Sequence, residues 1–170
     1  VQALGCDCTD FGIVPDRLDA TREALRRAAQ EHDLIVTSGG VSTGEEDHIK
    51  PAVEAEGRVD HWQMATKPGR PLAFGEVRRE PLRSGESADS DAAYFIGLPG
   101  NPVSSFITFL LVVRPVLLHL QGAIDWQPRS VPMRADFDWP KPDRRREFLR
   151  VRRNSAGGLD LFANQSSGVL

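Results

Sequence analysis

The stretch that decides the fold is residues 33–50, DLIVTSGGVSTGEEDHIK. A short, continuous apolar run ends in two glycines, a small-residue turn, a third glycine and three acids. An unbroken apolar run of this length, followed by a helix, is the pattern of a buried parallel strand. Gly39 and Gly40 let backbone N–H groups converge on one point with no Cβ in the way, a geometry that suits an anion such as phosphate. Gly39 and Gly44 have the spacing of a P-loop, but Glu45 and Glu46 stand where its Lys and Ser/Thr belong, so the turn is not one. Glu45 and Asp47 make chemical sense if they hold a cation beside the anion. Acids at a helix start are also favoured by the helix dipole alone.

Outward from this turn the chain alternates strands and helices. Residues 6–14, CDCTDFGIV, alternate like a strand, and residues 16–31 carry helical periodicity with Asp16 at the opening as a candidate N-cap. A short helix follows the acids, with Pro51 in its first turn and Gly57 at its end. Residues 58–66, 71–77 and 94–98 read as strands, and the polar segment 78–93 between the last two reads as a surface loop. Asn101 and Pro102 then open a helix over 103–121 that is apolar nearly all round, that Pro115 should kink and that Gly122 ends. The sequence therefore predicts an α/β fold: a mostly parallel sheet with helices on both faces. After Gly122 the helical period is lost and short β-like pieces follow. We place a boundary near 122–130, giving an α/β domain over 1–122 and a small, partial all-β domain over 123–170.

The chain has 170 residues, 40% apolar and 26% charged, with a net charge of −3. This balance argues against a general nucleic-acid binder. The most apolar run, Phe106 to Leu118, is interrupted by Arg114 and Pro115, so no membrane span is expected. Cys6 and Cys8 read as small hydrophobes in a reduced, cytoplasmic compartment. VQALG at the start resembles the last turn of a helix stopped by Gly5, and the chain is expected to be a piece of a longer protein.

In an open α/β sheet, ligands bind beyond the carboxyl ends of the strands. That rule selects the turns after Val14, Thr37 and Leu98. GLPGNPVS (97–104) is the last of these: Pro99 and Pro102 fix its path, Gly100 permits close approach, and Asn101 caps a helix whose free N–H groups would face an anion. The rigid turn KPGRP (67–71) presents Lys67 and Arg70, which suit a phosphate or another oxyanion.

Taken together, GIVPD ending at Asp16, SGGVSTGEEDHIK (38–50), KPGRPLAFG (67–75) and GLPGNPVSSFITF (97–109) resemble the molybdopterin molybdenumtransferase family, which includes the E domain of gephyrin. The resemblance implies an enzyme of molybdenum cofactor biosynthesis. It would insert molybdate into adenylylated molybdopterin and release AMP, with Mg²⁺, as a homodimer whose sites use both subunits. It implies that Asp16, Asp47 and Lys67 serve catalysis. Ser38, Gly39, Gly40 and Gly44 would receive the pterin phosphate, with Pro99, Gly100, Asn101 and Pro102 forming the pocket wall and Asp47 and Glu45 holding the metal. Arg145 and Ser167 align with polar positions of the family's terminal domain. Gln63 stands where some relatives have a second lysine. Two other readings stay open: the preceding adenylylation step, run by single-domain relatives, and a gephyrin-like scaffold module. The β segment after Gly122 favours insertion over adenylylation.

Overall fold

The computed structural model describes residues 1–40, 48–69, 71–79 and 91–168. In chain order its elements are α1 (Leu18–Glu31), β1 (Leu34–Ser38), α2 (Ile49–Glu56), β2 (Gly57–Gln63), β3 (Thr66–Lys67), β4 (Pro71–Arg78), β5 (Ala92–Leu98), α3 (Pro102–Thr108), a π-helical segment (Phe109–Val113), α4 (Arg114–Leu120), β6 (Arg146–Glu147), β7 (Val151–Arg153) and β8 (Leu159–Leu161). They fall into two compact units, Val1–Gln63 with Pro71–Gly100, and Met64–Arg70 with Asn101–Leu170. This division differs from the expected 1–122 and 123–170 in grouping the 102–120 helix and residues 64–70 with the C-terminal segment.

The first unit is a four-stranded sheet in the order β1-β5-β4-β2. Only β1 and β5 run parallel; β4 is antiparallel to both β5 and β2. The expected mostly parallel sheet is thus a mixed one. The reason is local: β5 pairs antiparallel with β4, the strand before it in the chain, as no crossover connection would allow; most of the expected surface loop, 80–90, lies outside the described residues. β1 is an edge strand of this sheet with only Ile35 fully buried, so its continuous apolar run overstated its burial. Residues 6–14 form no strand. Asp10 accepts a hydrogen bond from Gly12 N at 2.7 Å, and Gly12 has φ +67°, which turns the chain out of the extended conformation. Cys8 is exposed on this segment rather than buried. Gly5, with φ +79°, does end a short 3-10 turn over Gln2–Leu4.

α1 and α2 pack together against one face of the sheet. Their small residues Ala28, Ala29 and Ala52 let both helices approach it closely, and Leu25, Ile35, Val53, Val77 and Phe95 fill the space between. Glu56 ties the helices together: it accepts from Arg22 Nε at 2.5 Å and from Arg26 Nε at 2.7 Å, with only 11% of its side chain exposed. Arg26, foremost, and Arg22 hold its carboxyl down to about 2. A carboxyl depressed in the fold stabilises it above the unfolded pKa and loses that contribution as pH falls toward the folded one. Glu56→Gln is therefore expected to cost about 1–2 kcal/mol at pH 7. The gap from wild type should close between about pH 4.5 and pH 2, as measured by urea unfolding across that range. A gap independent of pH would show that the ion pairs contribute nothing through Glu56. At the other end of α1, Arg79 donates to the carbonyls of Ala29 at 2.8 Å and His32 at 3.0 Å, closing the helix C-terminus from β4's end.

In the second unit the 102–120 helix is continuous. Pro115 does not break it. The π segment Phe109–Val113 lies just ahead of that proline, in the turn where an α-helical ladder would require the N–H that Pro115 lacks. Gly122 ends the helix as expected, with φ +77° and with Gly122 N on His119 O and Ala123 N on Leu118 O at 2.9 Å each, a Schellman motif. By length and composition Pro102–Leu120 is apolar enough to cross a membrane, a measure that buried core helices also meet. The remaining strands are short: β3 pairs in parallel with β6, and β7 with β8 as an antiparallel hairpin.

Candidate functional site

The parallel pairing of β1 with β5 aligns Ser38 with Leu98, so the two carboxyl ends finish at one edge of the first unit. Gly39 N donates to Leu98 O at 3.0 Å and carries the ladder one step beyond the strands. Gly39 and Gly40 then take φ +86° and +68°, a left-handed path that any Cβ would strain. The turn is also crowded at Gly40, where a Cβ would stand 2.6 Å from Ile49 Cγ1; a Cβ on Gly100 would make ordinary contact with Gly39 Cα, at 3.5 Å. Two bare backbones therefore meet at the strand ends. Pro99 is buried behind them, while Ser38, Gly40 and Gly100 are exposed. Thr37, one residue before the turn, keeps its Oγ1 buried without a hydrogen-bond partner. Gly44, Glu45 and Asp47 lie outside the described residues, as does Arg70. Asp16 is exposed and does not cap α1: Arg17 holds the cap position, with no side-chain cap bond.

In the second unit Asn101 is the N-cap that the sequence predicts. Its Oδ1 accepts from Ser104 N at 3.1 Å. The donors expected to face an anion are engaged by the chain itself: Val103 N reaches Ser167 O at 3.4 Å, and Pro102 has no N–H. Lys67 is half-exposed and paired. Its Nζ lies 2.9 Å from Glu147 Oε1 and 3.6 Å from Asp143 Oδ2. Glu147 Oε2 in turn accepts from Trp139 Nε1 at 2.8 Å and from Asp143 N at 2.9 Å. Arg145 grips Asp143 with two bonds of 2.9 and 2.8 Å. The pairing of β3 with β6 sets Lys67 opposite Glu147. Glu147, first of all, raises the Lys67 ammonium above its ordinary pKa, and the Asp143 N–H, then Lys67 and Trp139, hold Glu147 below its own. Glu147, Asp143 and Trp139 carry no sequence signal near Lys67, since strand pairing alone brings them there.

Glycine backbones with exposed N–H groups can hold a phosphate, and a fixed ammonium can meet an oxyanion. Among the described residues no group of three or more His, Cys, Asp or Glu could hold a metal ion. The acids expected to bind Mg²⁺ lie outside them, and no step is assigned to the ion here.

Residues 1–119 match the family described as a probable molybdopterin binding domain. Over 127 residues the chain is 39% identical to a molybdopterin molybdenumtransferase of Haemophilus influenzae, covering 75% of this chain and 28% of that protein. It is 30% identical over 176 residues to a molybdopterin molybdenumtransferase of Nostoc, covering 100% of this chain and 38% of that protein. A molybdenum cofactor biosynthesis protein from Pyrococcus furiosus has a similar structure, with TM-score 0.64 and 26% identity over 94% of this chain and 46% of that one. The chain thus spans less than half the length of each of these relatives. A match that takes in β1, β5 and the glycine turns at their ends makes the chain a member of the molybdopterin-binding domain family.

Proposed function

We propose that the chain belongs to a molybdopterin molybdenumtransferase, which inserts molybdate into adenylylated molybdopterin with release of AMP. The observation that carries this reading is the close approach of Gly39 and Gly100 at the carboxyl ends of β1 and β5, within a chain similar to enzymes of that name. In the first unit Ser38 and Gly40, with Gly44, receive the pterin phosphate through backbone N–H groups; Gly39, whose own N–H is held by Leu98 O, gives the turn its left-handed path, and Pro99 and Gly100 shape the adjacent wall. In the second, Asn101 and Pro102 fix the helix start, and Lys67 offers its ammonium to an oxyanion. Asp16 and Asp47 orient the phosphoanhydride, and Asp47 and Glu45 would hold Mg²⁺, which would offset the charge of the phosphates. The protein works as a cytoplasmic homodimer, with an α/β module to about residue 122 and a β-rich module after it. The test is a titration of the intact protein with adenylylated molybdopterin and molybdate. AMP should be released in step with the molybdate consumed. Binding of the nucleotide without molybdate-dependent AMP release would reject the insertion reaction.

A further inference from the structure

One nearly buried carboxylate of the second unit, Glu147, is not used by the reaction above. Glu147 has 11% of its side chain exposed; its Oε2 is hydrogen-bonded, while the buried Oε1 has no hydrogen-bond partner and meets Lys67 as an ion pair. Trp139 Nε1 and Asp143 N hold Oε2, which leaves Oε1 to face Lys67 at 2.9 Å. The carboxylate is thus fixed by the fold before Lys67 meets it. Asp143 gives a second, longer contact to the same ammonium at 3.6 Å and is itself fixed by Arg145. An ammonium has three N–H donors. The two carboxylates engage at most two of them, and 46% of the Lys67 side chain is open to solvent.

We propose that Glu147 is a positioning residue: anchored through Trp139 and the Asp143 backbone, it holds Lys67 so that a remaining N–H faces a tetrahedral oxyanion of the substrate. The inference rests on the reading of Lys67 as the oxyanion contact. A long, flexible lysine loses much rotamer freedom when it binds an anion. A fixed carboxylate at its tip removes that loss in advance, which favours binding of the anion rather than the chemical step. The oxyanion is either molybdate or the pterin phosphate, and the two are separated by titrating each in turn.

Steady-state AMP release by the intact protein tests this with Lys67→Met, Glu147→Gln, Trp139→Phe and the Lys67→Met/Glu147→Gln double variant. Glu147→Gln should raise the KM of one substrate by about tenfold while kcat changes less than about twofold. Lys67→Met should raise the KM of the same substrate, and the double variant should be no worse than Lys67→Met alone. Glu147→Asp should recover part of the loss. Trp139→Phe removes a donor to Glu147 yet keeps the carboxylate, and it should shift the same KM by a smaller factor; it also serves if Glu147→Gln does not fold. Independent, multiplying effects in the double variant would overturn the proposal, because they would make Glu147 a structural residue only. So would an unchanged KM in Glu147→Gln beside a raised one in Lys67→Met. If Lys67→Met left both KM values unchanged, the Lys67 contact and its positioning would fall together, while AMP release itself would still stand.

Discussion

Gly40→Val is expected to lower molybdate-dependent AMP release by about 100-fold or more, the scale of loss that follows a misplacement of about 1 Å in a binding site. Two costs act at that one residue. Its φ of +68° lies where a β-branched side chain is a severe outlier. The new Cβ would also stand 2.6 Å from Ile49 Cγ1, at the start of α2. The first is relieved only by changing the backbone path of the turn and the second only by displacing Ile49 or the turn, and the turn is what would present N–H groups to the phosphate. Gly122→Ala is the control. Gly122 has a similar φ, +77°, but a Cβ there meets nothing within 4 Å. It should cost about 1 kcal/mol of stability and leave AMP release intact. Wild-type AMP release from Gly40→Val would remove the turn from the site.

Phe95→Ala should destabilise the fold by about 3–5 kcal/mol, a large share of the 5–15 kcal/mol typical of a domain. Phe95 is fully buried at the centre of β5, between β1 and β4. Its neighbours in the core include Ala28, Ala29, Ala52, Ala73 and Ala93, which have no spare side chain to swing into the void. The cavity would stay open, and that is what raises the cost. Urea unfolding measures it directly, and Phe95→Leu should recover more than half. A loss below about 1 kcal/mol would mean that the core collapses around the gap.

The legible parts of this fold are those set by near neighbours in the chain. The cap at Asn101, the stops at Gly5 and Gly122 and the periodicity of α1 depend on residues within a turn or two, and all three are found. Partnership at long range was hidden. Residues 6–14 alternate convincingly, yet a strand needs a neighbour as well as a pattern, and the Asp10–Gly12 turn diverts the chain before one forms. The hairpin of β4 with β5 was masked by the polar segment between them, because two apolar runs look alike whether they pair head to head or head to tail. The same limit applies to the candidate site. The glycine turn was readable because glycine itself announces a bare backbone. The surroundings of Lys67 were not, since Trp139, Asp143 and Glu147 reach it only through the pairing of β3 with β6.

The antiparallel turn-back from β4 to β5 has a practical consequence. Its two arms are clasped by Arg79 and Asp91, whose side chains meet at 2.6 Å. That clasp lies at the amino end of β5, whereas the glycine turns lie beyond its carboxyl end. Seven strand residues separate the two, a span of roughly 20 Å at the usual rise. Lengthening, tagging or swapping residues 80–90 is expected to leave the glycine turns in place. β5 thus runs from a charged clasp to a glycine turn where, at Gly40, a single methyl group is too many.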